Sequence, residues 1–281
     1  MRTRFAPSPT GPLHLGHAYS AILAHDMARD QGGEFLLRIE DTDTDRARPE
    51  WEALIFEDLA WLGLDWPTPV LRQSEHLDRY QVSLDFLSDQ GLVYPCSCSR
   101  ADIRAALSAP QEGAETGEAP YPGTCRHRTM ASRRPGDALR LNLGRAIERL
   151  ATEGLGQFTD SGPIHPGTHP LDANHLQSTA GDFVLGRKGI GTVSYVLAAV
   201  IDDAGQGISD VIRGADLFEI TFQQVLLQRL LRLPTPRYHH HRLIRDENGK
   251  RLAKRNDARA IRTYREDGVS PKDIRRLVGL S

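Results

Sequence analysis

The chain has 281 residues, of which 39% are hydrophobic and 26% charged, with a formal net charge of −2. This length allows about two modest domains, or one domain with an insertion. No apolar run approaches the ~18 residues of a membrane-spanning helix, and the N-terminus lacks the apolar core of a signal peptide. The three cysteines are too few for a secreted disulfide scaffold, so we expect a cytoplasmic protein without a membrane partner.

The charge is unevenly distributed along the chain. Residues 237–276 contain 13 Lys and Arg against 6 Asp and Glu, a net charge of +7 in a chain whose total is −2. This asymmetry indicates either a phosphate-rich ligand at the C-terminal end or a solvated helical surface.

The first part of the chain alternates between strand and helix patterns. Residues 3–6 predict a short strand, followed by a Pro- and Gly-rich turn and a helix over 16–30 that ends at a Gly pair. Residues 34–40 have the length and composition of a buried strand, and Pro49 suits the first turn of the next helix. This order predicts a doubly wound α/β sheet, in which ligands bind at the carboxyl ends of the strands.

The rest of the chain is less regular. Residues 108–120 are low in complexity and indicate an exposed loop, whereas residues 151–180, rich in Gly, Pro, Thr and His, allow no placement. Residues 246–249 predict a turn between extended segments. We predict helices over 76–90, 194–202 and 217–231, and strands at 92–94, 182–185 and 208–213.

Two histidines follow the first predicted strand in the turn APSPTGPLHLGH. His14 and His17 lie at or near a helix start, where free N–H groups and the positive end of the helix dipole favour an anion. Gly11 and Gly16 allow close approach to the backbone. Two imidazoles there can donate to a phosphate, although a structural histidine pair or a metal site fits the same pattern.

A basic cluster, GKRLAKRN, occupies residues 249–256 near the other end of the chain. Its cations are Lys250, Arg251, Lys254 and Arg255. A basic loop can clamp a polyphosphate, but by itself this segment favours a plain solvated turn over a phosphate clamp.

Together the two features resemble the HIGH and KMSKS signatures of class I aminoacyl-tRNA synthetases. RFAPSPTGPLHLGH is similar to the glutamyl and glutaminyl branch, and RIEDTD at 38–43 and VIRGADL at 211–217 match that branch in the same order. Ala253 stands where the family usually has Ser, which puts one hydroxyl contact to the nucleotide in doubt. The resemblance implies ATP binding by His14, Gly16, His17 and Lys254, with His14, His17 and Lys254 as the catalytic residues.

Activation of an amino acid joins its carboxylate to the α-phosphate of ATP and expels pyrophosphate. Such a step needs positioning and electrostatic stabilisation and no covalent enzyme nucleophile, and Mg²⁺ normally bridges the phosphate oxygens. The resemblance implies that His14 and His17 face the α-phosphate and that Lys254 holds the outer phosphates.

A glutamate substrate carries an ammonium and two carboxylates, so its site needs an acid and at least one arginine. The resemblance implies that Glu40 binds the ammonium of the glutamate and that Arg213 or Arg4 binds its side-chain carboxylate. From composition alone, Glu40 and Arg213 fit structural ion pairs equally well. The resemblance implies that the residues lining the glutamate are Arg4, Ala6, Ser8, Glu40, Tyr195 and Arg213.

All three cysteines, Cys96, Cys98 and Cys125, lie in one region, at a spacing that can bind zinc. Zinc takes four ligands, and chemistry alone favours His127 over Tyr121 as the fourth because phenolate is a rare ligand. Three free cysteines are the simpler alternative. CSCSR followed by YPGTCR resembles the zinc insertion of the glutamyl-queuosine tRNA(Asp) synthetases, which implies one structural zinc per chain held by Cys96, Cys98, Tyr121 and Cys125.

The resemblance divides the chain into four parts. Residues 1–95 and 131–236 are expected to form the two halves of an α/β, Rossmann-like class I synthetase catalytic domain. Residues 96–130 form the zinc-binding insertion, and residues 237–281 the lysine loop and a helical C-terminal segment.

The resemblance implies an enzyme that activates L-glutamate with ATP and transfers it to the queuosine base at the wobble position of tRNA(Asp), by default as a monomer. The nearest alternative is a truncated glutamyl-tRNA synthetase, but only 27 residues follow Lys254, too few for an anticodon-binding domain of ~100 residues. A non-catalytic synthetase-like RNA-binding protein is a second alternative. A zinc hydrolase using His239, His240 and His241 is a third, and adjacent strand residues point to opposite faces, which argues against it.

Overall fold

The structure is a computed structural model that describes residues 1–108, 120–189, 191–245 and 259–280. In this part of the chain the helices are α1 (Leu15–Asp30), α2 (Pro49–Trp61), α3 (Leu77–Asp89), α4 (Arg100–Ser108), α5 (Leu143–Arg149), α6 (Ala173–Thr179), α7 (Tyr195–Gly205), α8 (Phe218–Leu230), α9 (Ile261–Glu266) and α10 (Pro271–Leu277). The strands are β1 (Arg2–Phe5), β2 (Glu34–Ile39), β3 (Leu71–Arg72), β4 (Val93–Cys96), β5 (Ala138–Leu141), β6 (Gln157–Asp160), β7 (Gly167–Pro170), β8 (Val184–Gly186), β9 (Asp210–Gly214) and β10 (Arg237–His241).

Parallel strands form the centre of the fold. β2 lies between β1 and β3, and β10 lies between β9 and β6, with every one of these pairs parallel. The Ser209 N–H donates to the Arg2 carbonyl over 3.0 Å and so joins the start of β9 to β1. The predicted α/β sheet is therefore confirmed, and the carboxyl ends of β1, β2, β9 and β10 come to one edge.

Two apolar clusters hold helices against these strands. In the first, the small and aliphatic face of α1 packs on β2 and α2, where Ile22, Ile39, Ile55 and Leu59 are wholly excluded from solvent. In the second, α3, α7 and α8 pack around Phe158 and its neighbours. Each large aliphatic side chain buried in this way contributes about 1.5–3 kcal/mol by leaving water.

A small antiparallel sheet carries the cysteine region. β5 lies between β4 and β8, and Cys96 is the last residue of β4. Cys98 and Cys125 belong to the segment between β4 and β5, so this sheet is the base from which the predicted zinc insertion extends.

The elements differ from the sequence expectations mainly at their bounds. The helix predicted over 76–90 begins as a 3₁₀ turn at Gln73–His76 before α3. Residues 151–180, which allowed no placement, contain the antiparallel pair β6–β7 and the helix α6. Most of the predicted loop at 108–120 and the whole predicted turn at 246–249 lie outside the described residues. Among the described helices, none combines the length and apolar character needed to cross a bilayer.

Candidate active site

A cavity of about 370 Å³ opens at the carboxyl ends of β1, β2, β9 and β10, a size that suits a small-molecule ligand. Ser8 is exposed and is not among the residues that line this cavity. Lys254 lies outside the described residues. The predicted site residues that do line the cavity are Arg4, Ala6, His14, Gly16, His17, Glu40, Tyr195 and Arg213.

The two histidines of the first turn cap the N-terminus of α1. The Gly16 N–H donates to His14 Nδ1 over 3.1 Å, and the His14 N–H donates to His17 Nδ1 over 3.2 Å, which makes a capping box. The rings stack with centroids 3.8 Å apart. Because each Nδ1 accepts a hydrogen bond, each neutral ring carries its proton on Nε2 and can donate from that atom.

Arg4 belongs to a buried network of charges beneath the cavity. Its Nε lies 3.0 Å from Asp203 Oδ1, and the same oxygen accepts from Arg38 at 2.7 Å. Arg38 is fully buried and also donates to Glu40 over 3.1 Å. The acids Asp202 and Asp203 end the apolar run VLAAVIDD of α7. Two adjacent buried acids at the end of such a helix were the sequence signal for this network, which the motif analysis missed.

Glu40 is an acid of the cavity wall, which Asp216 also lines. It follows β2, is 9% exposed and lines the cavity. Burial raises the pKa of its carboxyl although Arg38 and Arg4 act in the opposite direction. An ammonium group brought to Glu40 would favour its ionised form.

Arg213 is a buried cation that makes no ion pair with any acid among the described residues. Its Nε donates to His240 Nε2 over 3.1 Å and one terminal nitrogen donates to Thr221 Oγ1 over 2.7 Å. The other terminal nitrogen is 3.5 Å from the Tyr195 hydroxyl, on the side of the cavity. All three partners are neutral, so no acid within the described ranges balances the charge of Arg213, and this cation is suited to binding an anion.

The three consecutive histidines of β10 have separate partners. His239 Nδ1 lies 3.1 Å from Ser161 Oγ, His240 Nδ1 lies 2.5 Å from Asp160 Oδ2, and His241 Nε2 lies 2.8 Å from Ser20 Oγ. They do not converge on one point, as the alternation of strand side chains requires. This agrees with the argument from the sequence against a zinc hydrolase that uses the three histidines. Asp160 received no role from the sequence, since nothing local marks it as the partner of His240.

The three cysteines meet in one cluster. Their Sγ atoms all lie within 4.8 Å of one another, so they can hold a metal ion. Tyr121 lies among them, with its hydroxyl oxygen 3.4 Å from the Sγ of both Cys96 and Cys98. His127 is exposed and is not part of the group. Burial opposes ionisation of Cys125, but hydrogen bonds within the cluster lower its pKa to about 6, which favours the thiolate that metals bind.

Known proteins share both the sequence and the fold. Residues 1–155 and 170–281 match the family of class I tRNA synthetases (E and Q), catalytic domain. A glutamyl-Q tRNA(Asp) synthetase of Rhodobacter capsulatus is 57% identical over 282 residues, which cover 100% of both chains. Another, of Nitratidesulfovibrio vulgaris, is 42% identical over 286 residues, or 98% of this chain and 84% of that one.

The fold is similar to that of a glutamate tRNA ligase of Elizabethkingia meningosepticum, solved in complex with its amino acid. The TM-score is 0.70 at 28% identity, over 91% of this chain and 52% of the ligase. This chain therefore spans about half the length of that solved structure. On the full-length identity and the family match together, the chain belongs to the class I tRNA synthetases of the E and Q branch and, within them, to the glutamyl-Q tRNA(Asp) synthetase family.

Proposed function

We propose that the chain uses ATP to activate L-glutamate and then transfers the glutamate to the queuosine base at the wobble position of tRNA(Asp). The observation that carries this proposal is Arg213, a buried cation without a carboxylate partner among the described residues, in the same cavity as the capping histidines. The cavity wall at Arg213 thus fits a carboxylate, and the wall at His14 and His17 fits a phosphate.

The glutamate fits between Arg213 and Glu40. A guanidinium matches a carboxylate in geometry and charge, and Arg213 has its terminal nitrogens on the cavity side, near Tyr195. Glu40 receives the ammonium, which offsets the burial of its carboxylate. This arrangement leaves the α-carboxylate to be directed toward the nucleotide.

The ATP fits against the start of α1. In the reaction an α-carboxylate oxygen attacks the α-phosphorus, the bond from that phosphorus to the β-phosphate oxygen breaks, and pyrophosphate leaves. His14 and His17 donate from Nε2 to the phosphoryl oxygens, while the backbone at Gly16 permits close approach. Lys254 holds the outer phosphates, and Mg²⁺ bound with ATP offsets the charge of their oxygens.

The cysteine cluster is the proposed site of one structural zinc ion. Cys96, Cys98, Tyr121 and Cys125 supply four ligand atoms, the number a closed tetrahedral site needs. The ion would cross-link the end of β4, at Cys96 and Cys98, to Tyr121 and Cys125 further along the insertion, and would take no part in the chemistry. In this proposal the chain consists of two halves of the catalytic domain, residues 1–95 and 131–236, with the zinc-binding insertion at 96–130 between them. Residues 237–281 form the lysine loop and the helical C-terminal segment.

Two assays test the function. We expect glutamate-dependent exchange of pyrophosphate into ATP without any tRNA, followed by glutamate transfer to tRNA(Asp) that carries queuosine and not to tRNA(Asp) that lacks it. Transfer to the 3′ end of queuosine-free tRNA(Glu) would instead identify a glutamyl-tRNA synthetase. The absence of any exchange would favour a non-catalytic RNA-binding protein.

A further inference from the structure

Two buried residues that the proposed reaction does not use lie directly behind Arg213. His240 is wholly buried in β10, opposite Arg213 of β9 in the parallel register, and Asp160 ends the neighbouring strand β6. We propose that Asp160 and His240 are positioning residues that fix the Arg213 guanidinium in the orientation that receives the substrate carboxylate. The proposal rests on the carboxylate-binding role given to Arg213 above.

Asp160 determines which ring nitrogen of His240 carries the proton. Its Oδ1 accepts from the Gly162 N–H at 2.7 Å and from the His240 N–H at 3.1 Å, so Oδ2 is the oxygen that faces the ring. Oδ2 lies 2.5 Å from His240 Nδ1, and a carboxylate can only accept. The proton is therefore on Nδ1, and Nε2 presents a lone pair.

That lone pair fixes one edge of Arg213. The Arg213 Nε–H donates to His240 Nε2, while one of the arginine's terminal nitrogens donates to Thr221. With these two donors held, the remaining terminal nitrogen is directed toward Tyr195 and the cavity. The other ring tautomer, or a protonated ring, would place an N–H of His240 against the N–H of Arg213.

The surroundings of His240 keep it neutral. The charged groups that face the ring are Asp160 of β6 and Arg213 of β9. Thr221 and Phe218 contact it from α8, and the ring of Tyr238 stacks on it. His165 is another titratable group close enough to affect it. Burial, together with Arg213, lowers the pKa of His240 to about 4 although Asp160 opposes this change. The ring is thus an acceptor for Arg213 throughout the neutral range.

The decisive variant is Asp160→Asn, which keeps the size of the side chain. Its oxygen remains bound to the two backbone N–H groups, so its NH₂ faces His240 Nδ1 and moves the ring proton to Nε2. We expect at least about a tenfold rise in the KM for glutamate, because a hydrogen bond that orients a charged group is lost, with the KM for ATP unchanged. Asp210→Asn is the matched control, since Asp210 is a carboxylate on β9 that binds Arg237 at the far end of the same strand pair.

Two substitutions of His240 separate positioning from simple packing. His240→Gln places an amide oxygen near the position of Nε2 and can still accept from Arg213, whereas His240→Asn reaches only toward Asp160. We expect His240→Gln to retain a KM for glutamate within about threefold of the parent and His240→Asn to match Asp160→Asn. Equal KM values for glutamate in both variants, at matched thermal midpoints, would contradict the proposal.

A readout independent of activity separates this proposal from the function itself. In ¹⁵N-histidine-labelled protein, the nitrogen shifts of His240 should report Nδ1–H in the parent and Nε2–H in Asp160→Asn. If the parent has no glutamate-dependent exchange, the proposed function fails whatever the tautomer. If exchange is present and the tautomer moves while the KM for glutamate does not, the positioning role is wrong.

Discussion

Arg4 and Asp203 form a buried ion pair, with Arg4 Nε 3.0 Å from Asp203 Oδ1 and a terminal nitrogen 3.3 Å from Oδ2. The pair bears on which arginine would take a substrate carboxylate, a choice between Arg4 and Arg213 that the motif left open. The charge of Arg4 is already balanced, whereas Arg213 has only neutral partners among the described residues. This difference supports the proposal that Arg213 takes the carboxylate and that Arg4 has a supporting role.

Arg213→Gln should remove the glutamate site while sparing the nucleotide site. We expect the KM for glutamate to rise at least about 30-fold, since a buried charge partner is lost, and the KM for ATP to change little. Pyrophosphate exchange at varied glutamate and ATP measures both. Arg237→Gln is the control, because Arg237 lies on β10 but is bound to Asp210 away from the cavity. A parallel rise in both KM values would argue against the assignment.

Asp203→Asn should destabilise the fold. Removing one partner of a buried ion pair costs about 3–5 kcal/mol, and here two arginines lose the negative charge that they share. Arg4 and Arg38 outweigh burial and lower the pKa of Asp203 to about 2, so its contribution is present above pH 4 and is lost as the pH falls toward 2. Urea unfolding at pH 7 and at pH 3 should show the larger difference at pH 7. Exposed Asp89→Asn should show none.

Asp58→Asn should have the opposite effect. Asp58 is buried in α2, where no described residue forms a hydrogen bond with either carboxylate oxygen, and burial raises its pKa to about 6. The unfolded chain ionises this group near pH 4, so its cost develops between pH 4 and 6 and is complete above pH 6. We expect the variant to gain about 1 kcal/mol in the free energy of unfolding at pH 8 and almost nothing at pH 4. Loss of stability at pH 8 would show that an unrecognised partner holds the charge.

Tyr121→Phe should weaken the metal site. Loss of one of four ligands should lower zinc affinity at least about tenfold, so that dialysis against a mild chelator leaves less than one zinc per chain. Elemental analysis measures the content, and thermal unfolding should show a lower midpoint for the metal-depleted protein. His127→Ala tests the rival ligand and should keep its zinc. Full zinc content in Tyr121→Phe would remove the tyrosine from the ligand set.

Lys254→Ala should lose most pyrophosphate exchange, because the outer phosphates would lack their cation. The far-UV circular dichroism should be unchanged, since the variant is expected to alter the nucleotide site and leave the fold intact. Exchange at the parent rate would place Lys254 outside the ATP site.

Much of the fold could be predicted because its signals are local. The apolar stretch at β2, the Gly pair after α1 and Pro49 at the start of α2 each act within a few residues of the chain. The region at 151–180 could not be predicted, because β6 pairs with β7 in a short hairpin and with the distant β10, and because Asp160, a polar residue, takes one of its two buried positions. Such pairing leaves no periodic signal in the strand itself.

The residues of the candidate site also differ in whether local sequence signals identify them. His14, His17 and the cysteines were found because their spacing along the chain reflects one turn or one cluster. Asp160 and Asp203 were missed, because their function depends on partners brought from other strands and helices. Ligand chemistry alone favours His127 over Tyr121 as the fourth zinc ligand for a similar reason. The position of Tyr121 among the thiols depends on the fold, which ligand chemistry does not reveal.

The capping box of α1 has a consequence for what substitutions this protein can tolerate. The side chains of His14 and His17 each accept a hydrogen bond from the backbone, and in the proposed reaction each also donates one to the nucleotide. Lysine and arginine donate but cannot accept, and aspartate and glutamate accept but donate only when protonated. The proposed reaction therefore makes stability and catalysis inseparable at these two positions, and a variant selected for faster chemistry there would also change the first turn of the helix.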